Sequence, residues 1–417
     1  MTLIKTSLLN GIAVVIKMLT LLGINKILAI YVGPAGYAAL GQFQNAIQMI
    51  TTFASGAVNT GVTKYTAEYY EDEKKQRTVW GTAGTISVIG SVLTGLLVIF
   101  FRKPLAGWFL KDESYSDVFF WFAVTLIFFV FNTLLLAILN GKKEIHRYVI
   151  ANIAGSLFSL LVTSFMAIQY GLYGALVALA IYQSLAFFVT FLLCYQASWF
   201  KLSYMFGGIE KDSAKNLAKY TAMALTSAAC VPVSHIIIRN YLGETLGWDA
   251  AGYWEAMWRL SAAYLMMITT TLTVYYLPRF SELSNFSDVK NEVASGLKFL
   301  LPASVLLCLF IYYFQDIIVK ILFSDDFSGM KELFHFQLIG DFLKITSWIF
   351  GFVFVSKSKF KLYMFIEIYF SMQFVMLTIF LIDSIGFRGV ALAHTINYAI
   401  CLFFVILVFY RGRWNAN

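Results

Sequence analysis

Four ionisable side chains, Lys17, Arg259, Asp341 and Lys344, lie deep inside long apolar stretches of this 417-residue chain. At ~1.5 Å of helical rise per residue, each sits roughly 14–20 Å from the start of its stretch. A charge at that depth in hydrocarbon costs about 2.5–3.5 kcal/mol, so charges kept there line water or meet a ligand. Apart from Asp117, Arg147, Lys331, Glu332, Asp383 and Arg388 at the stretch ends, eight basic residues lie within the apolar stretches (Lys17, Lys26, Lys64, Lys219, Arg239, Arg259, Lys298 and Lys344), against three acidic ones, Glu255, Asp341 and Glu367. The excess is cationic, and the chemistry it offers is the binding of an anion. Lys17 has no acidic neighbour within a turn, and Lys26, nine residues on, falls on the opposite side of a straight helix. Lys17 is therefore the foremost anion contact, with Lys26, Arg239 and Arg259 offering charge at other depths. Lys219, Lys298 and Glu367 lie near stretch ends, where long basic side chains reach headgroups; Lys64 is compatible with that role or with an anion contact. Glu255 and Arg259 are spaced i, i+4, and Asp341 and Lys344 i, i+3. Each acid either neutralises its neighbour or couples transport to an ion.

Uncharged polar groups concentrate between residues 42 and 60, where Gln44, Gln48 and Thr51 or Thr52 recur on one helix face, followed by Asn59. Such a stripe either holds helices together or forms a wall that hydrogen-bonds sugar hydroxyls. Trp254 and Trp258, an i, i+4 pair beside Arg259, offer ring faces for sugar stacking; Trp254 equally suits the membrane interface. Catalytic chemistry finds no such support. Cys194, Cys230, Cys308 and Cys401 each lie in an apolar stretch without a C-x-x-C pair or clustered histidines, which makes them packing residues and predicts no metal site. No G-x-x-x-x-G-K-[ST] pattern occurs, so neither ATP hydrolysis nor a cofactor is expected, and the chain is not read as an enzyme.

The elements that must position these residues are apolar helices. The chain is 59% hydrophobic and 13% charged, with 40 Phe, 24 Tyr and 9 Trp, whereas soluble domains carry about 25% charged residues. A soluble enzyme and a disordered scaffold are both excluded. Charged and turn-forming clusters divide the chain into twelve segments, 7–32, 36–66, 78–101, 117–140, 146–169, 173–197, 216–240, 250–278, 294–314, 331–355, 362–383 and 388–410. Each is long enough to cross a ~30 Å hydrocarbon core, which predicts an all-α integral membrane protein. The connections, the longest near 198–215, 279–293 and 315–330, are too short for a catalytic domain. The first stretch lacks a small-residue cleavage pattern and is read as a retained helix. With the N-terminus inside, 17 Lys and Arg from Lys5 to Arg413 fall in cytoplasmic connections and ends, and 6 on the other side (Arg102, Lys103, Lys111, Lys320, Lys331 and Arg388). Both termini are thereby placed in the cytoplasm.

The two halves echo each other. AGY at 35–37 introduces the second segment and AGY at 251–253 the eighth, and both segments end in basic tripeptides, TKY (63–65) and PRF (278–280). The expected plan is two six-helix lobes related by a pseudo-two-fold along the membrane normal, with the substrate between them. The N-terminal lobe spans 1–200, a cytoplasmic linker 201–215 and the C-terminal lobe 216–417.

GPAGYAALGQFQ (33–44), NTGVTKYTAEY (59–69), WDAAGYWEAMWRLSAAYL (248–265), VYYLPRFSEL (274–283) and MKELFHFQLIGDFLK (330–344) resemble the Wzx-type flippases for O-antigen and enterobacterial common antigen (lipid III). These form part of the polysaccharide transporter family in the multidrug/oligosaccharidyl-lipid/polysaccharide exporter superfamily. The resemblance runs over nearly the whole chain. It implies alternating access and movement of an undecaprenyl-pyrophosphate-linked glycan, favoured here as an O-antigen repeat unit, from the cytoplasmic to the periplasmic leaflet of the bacterial inner membrane. It also implies membrane lipids, H⁺ or Na⁺, and a polymerase and chain-length regulator of the same pathway as partners, and no nucleic acid. Lys17, Lys26, Lys64, Arg239, Arg259, Gln44, Gln48, Asn59 and Trp258 are the expected substrate contacts, and Asp341 and Glu255 the expected ion-coupling residues. A multidrug or small cation antiporter and a lipid II-type precursor flippase are the alternatives. The basic interior weighs against the antiporter.

Overall fold

A computed structural model describes residues 3–283, 285–357 and 359–411, except for the side chains of residues 3–10, 219, 220, 222, 223, 274 and 278. The side chains of Lys5 and Lys219 and the whole of Arg413 therefore lie outside the described residues. Among the described residues the fold is helical throughout, with no strand. Eight helical stretches are long and apolar enough to cross a membrane. The three other long helices, α2 (Gly33–Ala54), α8 (Lys211–Leu246) and α9 (Trp248–Thr271), carry the polar stripe, a charged start and the buried ion pairs.

Two compact units divide the chain. The first contains Met1–Val32 and Ala39–Pro232. In it α1 (Leu3–Tyr31) packs along α7 (Ile145–Tyr195), α7 along α6 (Ser116–Gly141), and α6 along α4 (Glu73–Phe100) and α3 (Asn59–Glu68). Its core gathers Val62, Trp80, Leu134, Ile138 and Met205 at no more than 2% exposure. The α4 helix starts on a side-chain cap, with Asp72 accepting the Lys75 amide proton. The expected 36–66 segment is not one helix: α2 stops at Ala54 and α3 starts at Asn59, because Gly56 (φ 62°) and Ala57 (φ 52°) take left-handed backbone between them. The expected break between 169 and 173 does occur, inside α7, where Gly171 has φ 56° and ψ −134°, a conformation glycine reaches without steric cost. The short α5 (Arg102–Leu110) connects α4 to α6.

The second unit contains Gly33–Ala38 and Val233–Asn417. Its boundary with the first falls inside α8 at Pro232, whose ring removes a backbone donor from the helix. The α9 helix runs through a π-helical turn, Leu272–Tyr276, into α10 (Leu277–Glu282). Beyond it α11 (Phe286–Tyr313), α13 (Phe334–Ser356), α15 (Arg388–Tyr410) and α14 (Phe360–Ile385) pack in that order, with the short α12 (Gln315–Leu322) between α11 and α13 in the chain. Leu272, Phe280, Val293, Ile349, Val353 and Phe409 form the core, each at 3% exposure or less. Both AGY copies have members here: the Ala35 amide donates to Asp249 Oδ1 at 3.1 Å, and the Tyr37 and Tyr253 rings both meet Phe327 edge-on.

Candidate functional site

In the first unit, α1, α6 and α7 enclose a cavity of about 150 Å³ lined by Lys17, Asn132, Asn152, Ser156, Tyr182 and Gln183 among others. Helical spacing supplies the lining: Asn152 and Ser156 are i, i+4, and Ser159 lies one turn further on. Asn132 Nδ2 donates to Gln183 Oε1 at 2.8 Å, and Gln183 Nε2 donates to the Tyr182 hydroxyl at 3.3 Å. Asn132 Oδ1 is buried and accepts no hydrogen bond from the described residues. Lys17 is exposed, and no ion pair among the described residues engages it. Asn152 Nδ2 and Ser156 Oγ donate to the Tyr148 and Asn152 carbonyls of their own helix, so the Lys17 ammonium is the group of this wall best suited to meet an anion.

The other expected contacts of this unit are more dispersed. Lys26 is half-buried on α1. Lys64 is exposed on α3, pairs with Glu68 at 3.7 Å and lies 5.0 Å from the Tyr65 ring centre. Gln44 and Gln48 are exposed on α2, but the Thr51 and Thr52 hydroxyls bond back to the carbonyls of Ile47 and Gln48, so those donors are spent on their own helix. Asn59 Nδ2 donates to Thr133 Oγ1 at 3.2 Å, joining α3 to α6.

In the second unit, Glu255 is held by two guanidinium groups. Arg239 Nη2 on α8 meets Oε2 at 2.5 Å, and Arg259 Nε, one turn along α9, meets Oε1 at 2.7 Å. Arg239 and Glu255 are buried, and the Arg259 side chain is 15% exposed, its guanidinium 5.1 Å from the Tyr37 ring centre. The acid joins two helices and leaves one net positive charge. Sequence spacing gave the Arg259 partner; Arg239, sixteen residues from Glu255, was visible only as an isolated charge.

Asp341 and Lys344 form no direct ion pair among the described residues. The Asp341 oxygens accept from Ser261 Oγ at 2.7 Å, from the Tyr264 hydroxyl and from Gln337 Nε2 at 3.4 and 3.5 Å, and Oδ1 lies 3.0 Å from His394 Nε2. Lys344 instead lies 4.5 Å from the Trp258 ring centre, 5.2 Å from that of Trp348 and 5.3 Å from that of Tyr398, an aromatic cage. Trp258 therefore gives a ring face to a lysine, and its edges meet His235 and His394. Trp254, at 1% exposure and packed on His235 and Arg239, is neither an interfacial residue nor an open stacking platform. Sequence reasoning passed over His235, His394, Ser261, Tyr264 and Gln337. The available signal was two single histidines inside apolar stretches, a pattern that local spacing leaves without a partner.

Charged and polar clusters enclosed by long apolar helices define a multi-pass membrane protein. A family model described as polysaccharide biosynthesis protein matches residues 3–284, and the chain belongs to that family. Two curated relatives, the lipid III flippases of Escherichia coli (strain K12) and Shigella flexneri, are each 30% identical over 420 residues, covering 100% of both chains. Among solved structures, an inward-facing multidrug resistance MATE family transporter of the MOP superfamily superposes with a TM-score of 0.82 at 14% identity, over 95% of this chain and 94% of that one. At that identity the likeness concerns the fold.

Proposed function

We propose that the protein is a flippase that moves an undecaprenyl-pyrophosphate-linked glycan, an O-antigen repeat unit or a related glycan such as lipid III, from the cytoplasmic to the periplasmic leaflet. The full-length similarity to two lipid III flippases carries this reading. The chemistry supports it: Lys17 beside a polar cavity, and an Arg239–Glu255–Arg259 cluster of net positive charge, suit a diphosphate-bearing substrate. Gln44, Gln48 and Asn59 are the proposed glycan contacts, with Lys26 and Lys64 as secondary cationic ones. Trp258 acts beside them by holding Lys344.

In this reading the chain crosses the inner membrane twelve times as two six-helix lobes, 1–200 and 216–417 joined by 201–215, with both termini cytoplasmic. It works as a transporter without catalysis, by alternating access driven by an H⁺ or Na⁺ gradient. A polymerase and a chain-length regulator of the pathway act on its product. Between the two acids proposed for coupling, Glu255 is clamped by two fixed cations whereas Asp341 meets a histidine, so coupling is assigned chiefly to Asp341. A drug-cation antiporter needs free carboxylates, and both buried acids are fully engaged by donors. Transbilayer movement of a labelled polyprenyl-pyrophosphate oligosaccharide in proteoliposomes tests the proposal. Wild type is expected to move it and Lys17→Ala and Arg259→Ala to lose that movement with insertion intact; equal movement in all three removes these charges from the mechanism.

A further inference from the structure

His394 is not among the substrate-contact or ion-coupling residues assigned above, yet it is 1% exposed and sits against the fully buried carboxylate of the second unit. The backbone is shaped for it: a Cβ on Gly340 would stand 2.3 Å from His394 Cδ2, so the imidazole occupies space that any larger residue at 340 would fill. With Nε2 carrying its proton toward Asp341 Oδ1 at 3.0 Å, the opposite nitrogen, Nδ1, is the lone-pair nitrogen. That atom is buried and has no hydrogen-bond partner among the described residues. A bare imidazole nitrogen across the ring from an ionised carboxylate is a proton acceptor whose protonated form is already provided with a counter-ion.

We propose that His394, backed by Asp341, is the proton-binding site of this transporter, taking up a proton at Nδ1 from hydronium and leaving water behind. This deepens the coupling proposed above and rests on the flippase reading for its role, though not for its existence. Each Asp341 oxygen already accepts from protein donors, so a metal cation would have to displace Ser261, Tyr264, Gln337 or His394 to gain an oxygen ligand. A proton needs no such displacement. On uptake the Asp341–His394–Lys344 group changes from net zero to net +1.

The charged and titratable groups facing the imidazole come from every element around it. Asp341 and Lys344 lie on α13, Tyr264 on α9, and Tyr398 on His394's own helix, with its ring centre 4.8 Å away. His235 from α8 packs on Trp258, and Arg239 of the same helix lies over the Trp254 ring; Cys308 of α11 is in electrostatic reach of Asp341, and Glu367 of α14 of Lys344. The added charge therefore acts first on Lys344, through the Trp258 ring that touches both.

The chain has four histidines, His146, His235, His335 and His394, few enough to assign one by one in the full-length protein by imidazole ¹⁵N NMR in nanodiscs. A histidine signal that titrates with pH in sodium-free buffer, is lost in His394→Gln, persists in His235→Gln and is altered in Asp341→Asn is the expected result. A His394 signal that does not change with pH, or that follows added Na⁺ instead, overturns the proposal. The same variants in glycan-loaded proteoliposomes separate the two readings. Wild type accelerated by an imposed pH gradient, with the acceleration lost in His394→Gln, supports the coupling site, and acceleration retained in that variant refutes it. Wild type that moves no glycan, while the NMR titration stands, refutes the flippase reading alone.

Discussion

The two units treat charge within their apolar helices in opposite ways. In the first, Lys17 faces a small cavity of amides and hydroxyls and has no ion-pair partner among the described residues. In the second, Arg239, Arg259 and Glu255 close on one another, and Asp341 collects four donors. A compensated charge in a dry site fixes the positions of the helices that carry it, whereas an uncompensated one beside a cavity keeps its capacity for a ligand. The comparison thus separates a cation held without a counter-charge, Lys17, from charges whose positions are fixed by partners before they act, Arg259 and Asp341.

Removing the shared acid breaks the comparison most severely. Glu255→Ala leaves two guanidiniums in a low-dielectric site with no counter-charge, and stability is expected to fall by about 3–5 kcal/mol, the usual result of deleting one partner of a buried pair. Thermal unfolding in detergent checks it. Arg239→Met in the same background should recover part of the loss, since it removes one of the two orphaned charges. Recovery that fails, or a single variant as stable as wild type, would show that water reaches the cluster.

Lys17 is expected to behave in the reverse manner. Lys17→Met removes a charge whose insertion costs about 2.5–3.5 kcal/mol at mid-membrane, so stability should hold or rise while glycan movement is lost. Paired measurements of unfolding temperature and proteoliposome transport decide it. A large loss of stability would make Lys17 a structural residue like Arg239, and the distinction between the units would disappear.

How far the sequence disclosed this division depends on the distance between partners along the chain. Helical segments were readable because apolar runs, Gly171 and the charged connections are local signals, and Glu255–Arg259 was readable because one turn of helix separates them. The break after Ala54 was missed because the polar stripe continues helical periodicity across Gly56 and Ala57. Asp341 is legible as a deep acid, with Lys344 as one alternative partner beside an ion-coupling role. Its true partners lie 80, 77 and 53 residues away at Ser261, Tyr264 and His394, and only the packing of α9, α13 and α15 brings them together. Lys344, three residues away, turns to aromatic rings instead, an outcome that spacing alone does not distinguish from an ion pair.

The smallest effect concerns an acid with as many partners as Glu255 but in water. Glu210 precedes α8 and accepts the backbone amide protons of Ser213 at 2.6 Å and Asp212 at 3.0 Å. These bonds, that from Ser213 first, hold its carboxyl below the usual carboxylate range. Because the folded-state value is depressed, the ionised cap contributes in full above the unfolded value, and its contribution is lost as pH falls through the folded one. Hydrogen exchange at the Asp212 and Ser213 amides, compared between wild type and Glu210→Gln from about pH 6 to about pH 3, reads the cap directly. Extra protection in wild type should shrink toward the variant as the carboxyl protonates, with global unfolding unaffected because solvent replaces the lost acceptor. A ratio that stays constant with pH would mean that the carboxylate charge adds nothing to the cap. A global loss would mean that the start of α8 is coupled to the fold as tightly as Glu255, which accepts the same number of donors where no water can take their place.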